Sequence, residues 1–229
     1  MSSTVHKQQN PLELPLYTYA DASRYLGLPK STASYWARGG STTGKKGQQE
    51  FFEPVISAHP EGGLTFFNLV ELHALKALRR IHEISLKNIR NALAHAEQQL
   101  GIDRLLLSDS LSTHGGDVFI TYLGDTVNLS RGGQMAIKDI LERYLKRVER
   151  NDSLIPVKLY PEFEGVGNDK PVVIDPNVSF GKPTVTGTSI HTGVIVYRID
   201  VGETIEDLMN DYDISQETIE NVIRYEKAA

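Results

Sequence analysis

The stretch GGSTTGKKG, residues 39–47, has residue types that could bind a phosphate group. Gly39, Gly44 and Lys45 match the start of the motif G-x-x-x-x-G-K-[ST], whose backbone N–H groups cradle phosphates and whose Ser or Thr hydroxyl binds Mg²⁺. Position 46 is a lysine, which cannot bind the metal. The motif also requires a strand before the loop and a helix after it, whereas KSTASYWAR favours a helix and QQEFFEP ends in proline. We therefore predict that this loop does not hydrolyse a nucleotide.

The histidines do not have the spacing of a catalytic or metal-binding site. His73, His82 and His95 fall on predicted helices, but intervals of nine and thirteen residues do not form an i, i+4 pair. The histidines predicted in loops stand beside Pro, Gly or Thr, and they are His59, His114 and His191. The chain has no cysteine and no G-x-S-x-G nucleophile motif. We predict a protein that is not an enzyme and that needs no cofactor and no metal.

Composition and charge favour a cytoplasmic globular protein with two different halves. The 229 residues suffice for one large domain or two small ones, and the hydrophobic share of 40% is ordinary for a globular protein. The first residues, MSSTVHKQQNPLELP, are unlike a secretory signal, and no apolar run is long enough to span a membrane. Residues 1–100 carry a net charge of +3 and residues 101–229 one of −8. This asymmetry indicates two different partners, although a chance distribution of solvated charges stays open.

Residues 17–39, YTYADASRYLGLPKSTASYWARG, have the pattern of two short helices around a turn. Thr18 can cap a first helix that runs to about Leu26, and Gly27 suits a left-handed turn position. Pro29 is tolerated where the second helix begins, and we expect that helix to end near Arg38. Two crossing helices need small or apolar side chains between them, and the sequence supplies them at Ala22, Ser23, Leu26, Leu28, Ala33 and Trp36.

The outward face of the second helix is short, polar and cationic, and it contains no acid. Hydroxyl and cationic side chains of this kind contact DNA phosphates and base edges in a major groove. An ordinary helical hairpin with a polar outside is the alternative. We predict that this face binds DNA through Lys30, Ser31, Thr32, Ser34, Tyr35 and Arg38.

The residues that follow predict a hairpin and two longer helices. QEFFEPVISAHPEGGLTFF has short apolar runs broken by Pro and Gly-Gly, which is typical of a hairpin. Asn68 can then cap a helix with Glu71 as its capping partner, and Ser85 can start a second helix that reaches Gly101. The apolar faces of the two helices consist of Leu69, Leu72, Leu75 and Leu78, and of Ile89, Leu93 and Ala96.

This arrangement resembles the MerR type of winged helix-turn-helix DNA-binding domain over about residues 17–96. The resemblance is carried by ADASRYLGLPKSTASYWARG and, after the wing, by LTFFNLVELHALKALRRIHEISLKNIR. It implies that residues 39–47 form a flexible basic loop beside the recognition helix. We then expect Lys45 and Lys46 to contact DNA phosphates rather than a nucleotide.

Residues 101–165 carry fewer signals and no catalytic constellation. DVFITYLGDTVNL predicts a hairpin with Gly124 and Asp125 in its turn, and LIPVKLYPEF predicts a strand. Between them, Ser130 can cap a helix that runs to about Arg150. The apolar stripe of this helix predicts either packing on its own domain or a dimer interface, and both stay open. The stripe consists of Ile137, Leu141, Tyr144, Leu145 and Val148.

The segment EGVGNDKP has the composition of a linker, and two short strands and three helices are predicted beyond it. Thr192 can cap the first helix and Gly202 can end it, while Ser215 can cap the last. The second and third helices repeat the spacing of the first helix-turn-helix, with inward positions at Leu208, Met209, Tyr212, Ile214, Ile219 and Val222.

The face of this second helix pair that stands where a recognition face would be comprises Gln216, Glu217, Glu220, Asn221 and Arg224. The surface is acidic because further acids lie nearby, at Glu206, Asp207, Asp211 and Asp213. An acidic surface repels a phosphate backbone, so we predict that it binds a protein partner and not DNA. A plain three-helix packing unit is the alternative. The predicted partner-binding residues are Lys182, Glu206, Asp207, Asp211, Glu217 and Glu220.

Residues 172–226 closely resemble the family catalogued as domain of unknown function 433. The most specific run is FGKPTVTGTSI, although His191 follows it where the family pattern usually has proline. With the MerR-like front, the whole chain resembles a VapB-type antitoxin. The resemblance implies a partner toxin with a PIN-like ribonuclease fold, which the antitoxin binds and neutralises. It also implies repression of the antitoxin's own operon through operator DNA.

Together these features predict a mostly α fold with small β elements (α+β): a winged helix-turn-helix and a C-terminal, helix-turn-helix-like three-helix domain. The predicted division is 1–100 for DNA binding, 101–165 as a connector available for dimerisation, and 166–229 for partner binding. We predict the antitoxin of a type II toxin-antitoxin system, a homodimer that binds operator DNA and a PIN-like ribonuclease toxin and does not bind membranes. A MerR-like transcriptional regulator with a C-terminal sensor domain is the alternative.

Overall fold

The computed structural model describes residues 10–43, 47–79 and 84–228, and within these ranges the protein is mostly helical. The helices are α1 (Tyr19–Leu26), α2 (Lys30–Arg38), α3 (Phe66–Arg79), α4 (Leu86–Leu100), α5 (His114–Val127), α6 (Arg131–Leu145), α7 (Thr192–Asp200), α8 (Ile205–Tyr212) and α9 (Gln216–Ala228). The strands are β1 (Gly40–Thr43), β2 (Gln49–Phe52), β3 (Val148–Arg150), β4 (Pro156–Leu159), β5 (Val172–Val173) and β6 (Thr184–Val185). They pair in order as small antiparallel sheets, which confirms the predicted fold class.

Helices α1 and α2 form the predicted helix-turn-helix. A capping box starts α1, because Thr18 Oγ1 accepts from the Asp21 N–H and Asp21 Oδ2 accepts from the Thr18 N–H, both at 3.0 Å. Gly27 ends α1 with φ 58°, in the left-handed region. The predicted inward residues are buried, apart from the partly buried Leu28, and Tyr25 joins them in the core.

Helix α3 starts differently from the prediction. Thr65 caps the helix instead of Asn68, because Thr65 Oγ1 accepts from the Asn68 N–H at 3.2 Å and Asn68 Oδ1 accepts from the Thr65 N–H at 3.0 Å. The buried Asn68 side chain donates to Glu71 Oε2 at 2.9 Å. Arg104 donates two further hydrogen bonds to that carboxylate, at 2.9 and 2.7 Å. The predicted cap of α4 by Ser85 and the apolar faces of both helices are confirmed.

Residues 114–127 form helix α5, so the predicted hairpin with a turn at Gly124 and Asp125 is wrong. The β-branched and aromatic residues of DVFITYL favour a strand, but one helical face buries Phe119, Ile120 and Leu123, and this burial overrides the propensity. Gly124 lies inside the helix, where a Cβ atom would come within 2.5 Å of the Gln134 side chain. This glycine therefore leaves room for the Gln134 side chain of α6 against α5.

Helix α6 ends at Leu145, short of the predicted Arg150, and Val148 lies in strand β3. That strand pairs with β4, which lies inside the predicted strand LIPVKLYPEF. Helix α6 packs against α3 and α5, and the part of its stripe that is fully buried there consists of Ile137, Leu141 and Tyr144. Of the two alternatives for the stripe, packing on its own chain is the one observed.

Buried side chains form two clusters along the described chain. The first extends from Tyr17 to Ile174, so residues of the predicted segments 1–100 and 101–165 share one core. The second, which extends from Val172 to Tyr225, holds β5, β6 and the last three helices together. Within it, α7 begins at Thr192, which is its first helical residue rather than its cap, and ends at Asp200. The boundaries at 100 and 165 stay predictions.

Candidate nucleic-acid interface

Helix α2 buries one side and leaves a polar side facing outward. Ala33, Trp36 and Ala37 are buried, so the helix is held by its apolar face. On the opposite side, Ser31 and Arg38 are exposed, whereas the predicted contacts Thr32, Ser34 and Tyr35 are partly buried. The side chain of Lys30 and residues Lys45 and Lys46 lie outside the described part of the structure.

Two aromatic contacts fix the orientation of the outward side chains. The Arg38 guanidinium carbon lies 4.2 Å from the centroid of the Tyr19 ring, so a cation–π contact joins the end of α2 to the start of α1. The ring of Tyr35 meets the ring of Phe52 edge-on, with centroids 5.8 Å apart. The candidate recognition helix is therefore braced on one side by α1 and on the other by strand β2.

The wing begins directly after α2, which corrects the predicted flexible loop for residues 40–43, while residues 44–46 lie outside the described part of the structure. Residues 40–43 form strand β1, which pairs with β2 so that Gly40 faces Phe52 and Thr43 faces Gln49. Gly39 makes the sharp transition with φ 68°, and a Cβ atom there would lie 2.1 Å from the Phe52 carbonyl oxygen. The hairpin therefore lies earlier than QEFFEPVISAHPEGGLTFF predicts.

Backbone hydrogen bonds hold the base of the wing against the recognition helix. The N–H groups of Val55 and Ile56 both donate to the Trp36 carbonyl oxygen, at 2.8 and 3.2 Å. The Arg90 guanidinium of α4 donates to the Glu53 carbonyl oxygen. These contacts couple the position of the wing to α2 and α4, so the hairpin and the helix can contact one duplex as a unit.

A groove of about 640 Å³ lies beside α2 and was not identified from the sequence. Its lining includes Thr32 and Tyr35 on one side and Lys76, Arg79 and Ser85 on the other. The cations also serve the fold, because Lys76 Nζ donates to the Leu26 carbonyl oxygen at 2.5 Å and Arg79 Nη1 donates to that of Ile84 at 2.6 Å. The clustering of basic residues in the last turn of α3 is the sequence signal that could have located this wall.

Two of the predicted partner-binding acids are engaged within their own unit. Asp207 forms a capping box with Thr204 at the start of α8, and these hydrogen bonds lower the pKa of its carboxyl group. Asp211 Oδ2 lies 2.5 Å from Arg198 Nη2. Arg198 also donates to Glu203, and the hydrogen bonds that it donates to these two carboxylates raise the pKa of its guanidinium.

Other predicted acids remain available at the surface. Glu206 and Glu217 are exposed, while the exposed Glu220 accepts from Gln216 Nε2 at 2.7 Å. Asn221 is buried and accepts from Arg224 at 2.6 Å, which corrects its predicted outward position. The surface of α8 and α9 is therefore acidic, although Asp207 and Asp211 are engaged within the unit.

Lys182, the remaining predicted contact, is exposed but lies in a groove whose lining does not include the predicted acids of α8 and α9. It borders a groove of about 300 Å³ together with Arg24, Val194 and Tyr197. The helix-turn-helix and the C-terminal unit both contribute to this groove, because Arg24 belongs to α1 and Val194 to α7.

Two of the histidines that the structure describes, His73 and His95, have packing roles. Burial lowers the pKa of His73 to about 3, and its neutral ring donates from Nε2 to the Tyr144 carbonyl oxygen at 3.1 Å. His95 stacks on Tyr122 with centroids 4.1 Å apart. Within residues 10–43, 47–79 and 84–228, no group of three or more His, Cys, Asp or Glu side chains could hold a metal ion. None of the helices described there is long and apolar enough to cross a membrane.

Both ends of the chain match known families. Residues 15–93 match the family model described as "Putative DNA-binding HTH domain", and residues 172–225 match the one described as "Protein of unknown function (DUF433)". The first match covers the helix-turn-helix, the wing and the first two turns of α4, and the second covers the C-terminal unit. The more specific resemblance to the MerR type stays a prediction.

Whole-chain relatives come from Mycobacterium tuberculosis. The chain is 28% identical to "Putative antitoxin VapB45" across 92% of this chain and 93% of that protein. It is also 28% identical to "Uncharacterized protein Rv2308", across 94% of this chain and 92% of that protein. The crystal structure of Rv2018 covers 93% of this chain and 99% of its own with a TM-score of 0.71 at 24% identity, which shows a shared fold.

Proposed function

Because the chain joins a helix-turn-helix segment of this DNA-binding type to a C-terminal DUF433 segment, we propose that it is the antitoxin of a type II toxin-antitoxin system. One observation carries the proposal: the similarity to a protein named as an antitoxin extends over 92% of this chain and so includes both segments. The protein binds operator DNA through its N-terminal segment and a PIN-like ribonuclease toxin through its C-terminal one. By binding the operator it represses its own operon.

The geometry of α2 and the wing supports the DNA-binding part of this proposal. A major groove about 12 Å wide admits one α-helix, and α2 offers an outward face with Ser31 and Arg38 exposed. Hydroxyl and guanidinium groups donate to phosphates and to base edges. The wing follows α2 without an intervening loop, so Lys45 and Lys46, which lie between its strands in the sequence, are suited to neighbouring phosphates.

Charge supports a protein partner for the C-terminal unit. A ribonuclease needs a basic groove for RNA, and an acidic patch is complementary to such a groove. Among the predicted contacts, Glu206 and Glu217 are exposed acids for which the structure gives no local role. On this proposal they face the toxin together with Glu220, while Asp207 and Asp211 position the helices that carry them.

The proposal includes a homodimer, since a helix-turn-helix protein commonly reads a two-fold operator as a dimer. Each copy would then present one α2 to one half-site. The stripe of α6 is packed inside its own chain, so the dimer contact lies elsewhere.

The test compares two arginine substitutions in the full chain. Arg38→Ala should weaken binding to the DNA upstream of the gene in a fluorescence anisotropy titration, whereas Arg131→Ala, at an exposed position of α6, should not. Ribonuclease activity of the adjacent gene's product is measured in parallel with and without the wild-type chain. Loss of that activity together with an Arg38-dependent DNA complex supports the antitoxin. DNA binding that depends on a small molecule, with no effect on the neighbouring protein, would support the transcriptional regulator with a sensor domain instead.

A further inference from the structure

Exposed apolar side chains are concentrated on one short part of the C-terminal unit. In the described ranges, four of the eight large hydrophobic side chains that are exposed lie within residues 180–201. They are Phe180, Val194, Tyr197 and Val201, which are 85%, 39%, 65% and 58% exposed. Phe180 and Tyr197 alone present roughly 300 Å² if an aromatic side chain offers about 200 Å². Exposed apolar surface of this extent often marks a functional contact.

A strained turn holds Phe180 in this exposed position. Ser179, Phe180 and Gly181 have φ values of 50°, 54° and 73°, so three consecutive residues occupy the left-handed region. Such runs are disfavoured for residues other than glycine, and they persist where the surrounding structure requires them. Ser179 Oγ donates to the Ser189 carbonyl oxygen at 3.1 Å, and Gly181 packs so closely on Tyr17 that a Cβ atom would lie 2.2 Å from the hydroxyl. The contacts around this turn therefore stabilise an unfavourable backbone conformation in which the Phe180 side chain is exposed to solvent.

The exposed apolar side chains of α7 and its C-cap form a stripe in which the order of residue types, valine, tyrosine and valine, is the same in both directions along the helix. Val194, Tyr197 and Val201 are three and four residues apart, and this spacing places them on one face of the helix. The tyrosine is in the middle and a valine is at each end. If two copies of this helix pair antiparallel about a two-fold axis, the two Tyr197 side chains meet at the axis. Val194 of each copy then faces Val201 of the other.

The charges at the two ends of the stripe are opposite. At the Val194 end, Arg24 and Lys182 line the adjoining groove and outnumber the acid Glu226. At the Val201 end, the acids Asp200, Glu203 and Asp211 outnumber Arg198, which binds two of them. An antiparallel arrangement brings the basic end of one copy to the acidic end of the other, whereas a parallel arrangement would oppose like charges.

We infer that Phe180 and the α7 stripe form the interface with a second copy of this chain, with the two α7 helices antiparallel and Tyr197 on the two-fold axis. This inference specifies the interface of the homodimer in the proposed function. It rests on the proposed function only where it assigns the dimer a role in operator binding. The interface is isologous, because the same patch serves both copies. Phe180 lies two residues before Lys182, which lines the groove at the basic end of the stripe, and the inference places Phe180 at that end of the interface.

Disulfide trapping tests this arrangement, because the chain contains no cysteine. Tyr197→Cys in the full chain should give a covalent dimer on mild oxidation, since residues on the axis approach within the roughly 7 Å that a disulfide spans between Cα atoms. Val194→Cys alone should not cross-link, because the two copies of residue 194 would be about 10 Å apart along the helix axis at 1.5 Å per residue. Co-expressed Val194→Cys and Val201→Cys chains should cross-link to each other.

Met135→Cys is the control for random collision, since Met135 is 66% exposed on a different helix. Cross-linking of Met135→Cys as fast as Tyr197→Cys, or of Val194→Cys alone as fast as the mixed pair, would overturn the inference. The inference would also be overturned if the wild-type chain sediments as a monomer at a protein concentration about 50-fold above the DNA concentration used in the binding assays.

Tyr197→Glu gives a second measurement that does not depend on oxidation. Two carboxylates on the axis should shift the sedimentation coefficient from dimer to monomer, with an unchanged circular dichroism spectrum because the position is exposed. Met135→Glu should leave the dimer intact. A dimeric Tyr197→Glu chain sinks the inference, while the proposed function fails separately if Arg38→Ala leaves DNA binding unchanged.

Discussion

The hydroxyl of Tyr225, on the last helix, donates a 3.0 Å hydrogen bond to the carbonyl oxygen of Tyr25 in α1, although 200 residues separate the two along the chain. Both side chains are buried, and burial raises the pKa of the Tyr225 hydroxyl well above its usual value. The bond joins the C-terminal unit directly to the helix-turn-helix. A change at one therefore has a physical route to the other.

Tyr225→Phe should lower the free energy of unfolding by about 1 kcal/mol, the usual net contribution of one such hydrogen bond. The change keeps the ring and its edge-on contact with Phe163, so packing is preserved. Urea titration followed by circular dichroism measures the effect. Tyr122→Phe is the matched control, because its ring stacks on His95 and the structure gives its hydroxyl no buried acceptor. An equal loss in both variants would mean that the bond to Tyr25 contributes nothing of its own.

The pH dependence of stability should carry the signature of His73. Its pKa is about 3 in the folded protein and about 6.5 when unfolded, so the unfolded chain binds the extra proton first as pH falls. The contribution of the neutral ring is thus complete above about pH 6.5 and is lost at about 1.4 kcal/mol per pH unit as pH falls toward the folded value. His73→Asn should be less stable at pH 7 but should show a shallower slope between pH 6 and 4. Tyr225→Phe, which leaves every histidine in place, should keep the wild-type slope over the same range.

The sequence predicted elements that depend on local signals and missed those that depend on distant partners. The Thr18 cap and the Gly27 turn were identifiable because their residues bond to neighbours within three or four positions. Helix α5 was missed, because the burial that overrides its β propensity comes from helices α4 and α6. The pair of Glu71 and Arg104 spans 33 residues, and nothing in the spacing of either residue indicates the other.

The same limit applies to the candidate sites. The outward face of α2 follows from helical periodicity, and its exposed ends at Ser31 and Arg38 agree with the structure. The roles of Asp207 and Asp211 could not be separated from those of Glu206 and Glu217 by charge alone. The separation needs the capping box at Thr204 and the position of Arg198 on another helix.

Tyr35 should contribute to DNA binding in two ways that substitutions can separate. Tyr35→Phe removes only the hydroxyl, while Tyr35→Ala also removes the ring that braces Phe52 of the wing. If the hydroxyl contacts DNA, Tyr35→Phe should weaken binding by about 1–3 kcal/mol, the usual cost of a lost base or phosphate contact. Tyr35→Ala should weaken it further because the wing is released. A gel-shift titration distinguishes these outcomes, and unchanged affinity in both variants would contradict the role of α2.

Lys45 and Lys46 should contribute a phosphate contact that is independent of sequence. Replacing both by alanine should reduce the slope of log affinity against log salt by about 1.8, at about 0.9 per neutralised phosphate of duplex DNA. The loss should be equal for operator and unrelated duplexes. Calorimetry with Mg²⁺ and ATP should detect no binding to the wild type. ATP binding that the double variant abolishes would restore the nucleotide-loop hypothesis.

Charge reversal should separate the acids that contact the toxin from those that support the fold. Glu206→Lys with Glu217→Lys should slow association with the adjacent gene's product by about tenfold or more at low salt, because complementary charge acts mainly on the rate of encounter. The dissociation rate should change less. Asp125→Lys with Asp139→Lys is the matched control, since both acids are exposed on α5 and α6 and the change in net charge is identical.

Stopped-flow fluorescence over a series of salt concentrations measures these rates. The difference between the two double variants should shrink as salt screens the exposed charges over about 10 Å at 0.1 M. If both double variants slow association equally, net charge and not the α8–α9 surface guides the encounter. If the Glu206 and Glu217 variant instead gains tight operator binding and still ignores the neighbouring protein, the C-terminal unit is a second DNA-binding head. In that case, Glu206 and Glu217 prevent the C-terminal unit from binding DNA and do not contribute to binding a protein partner.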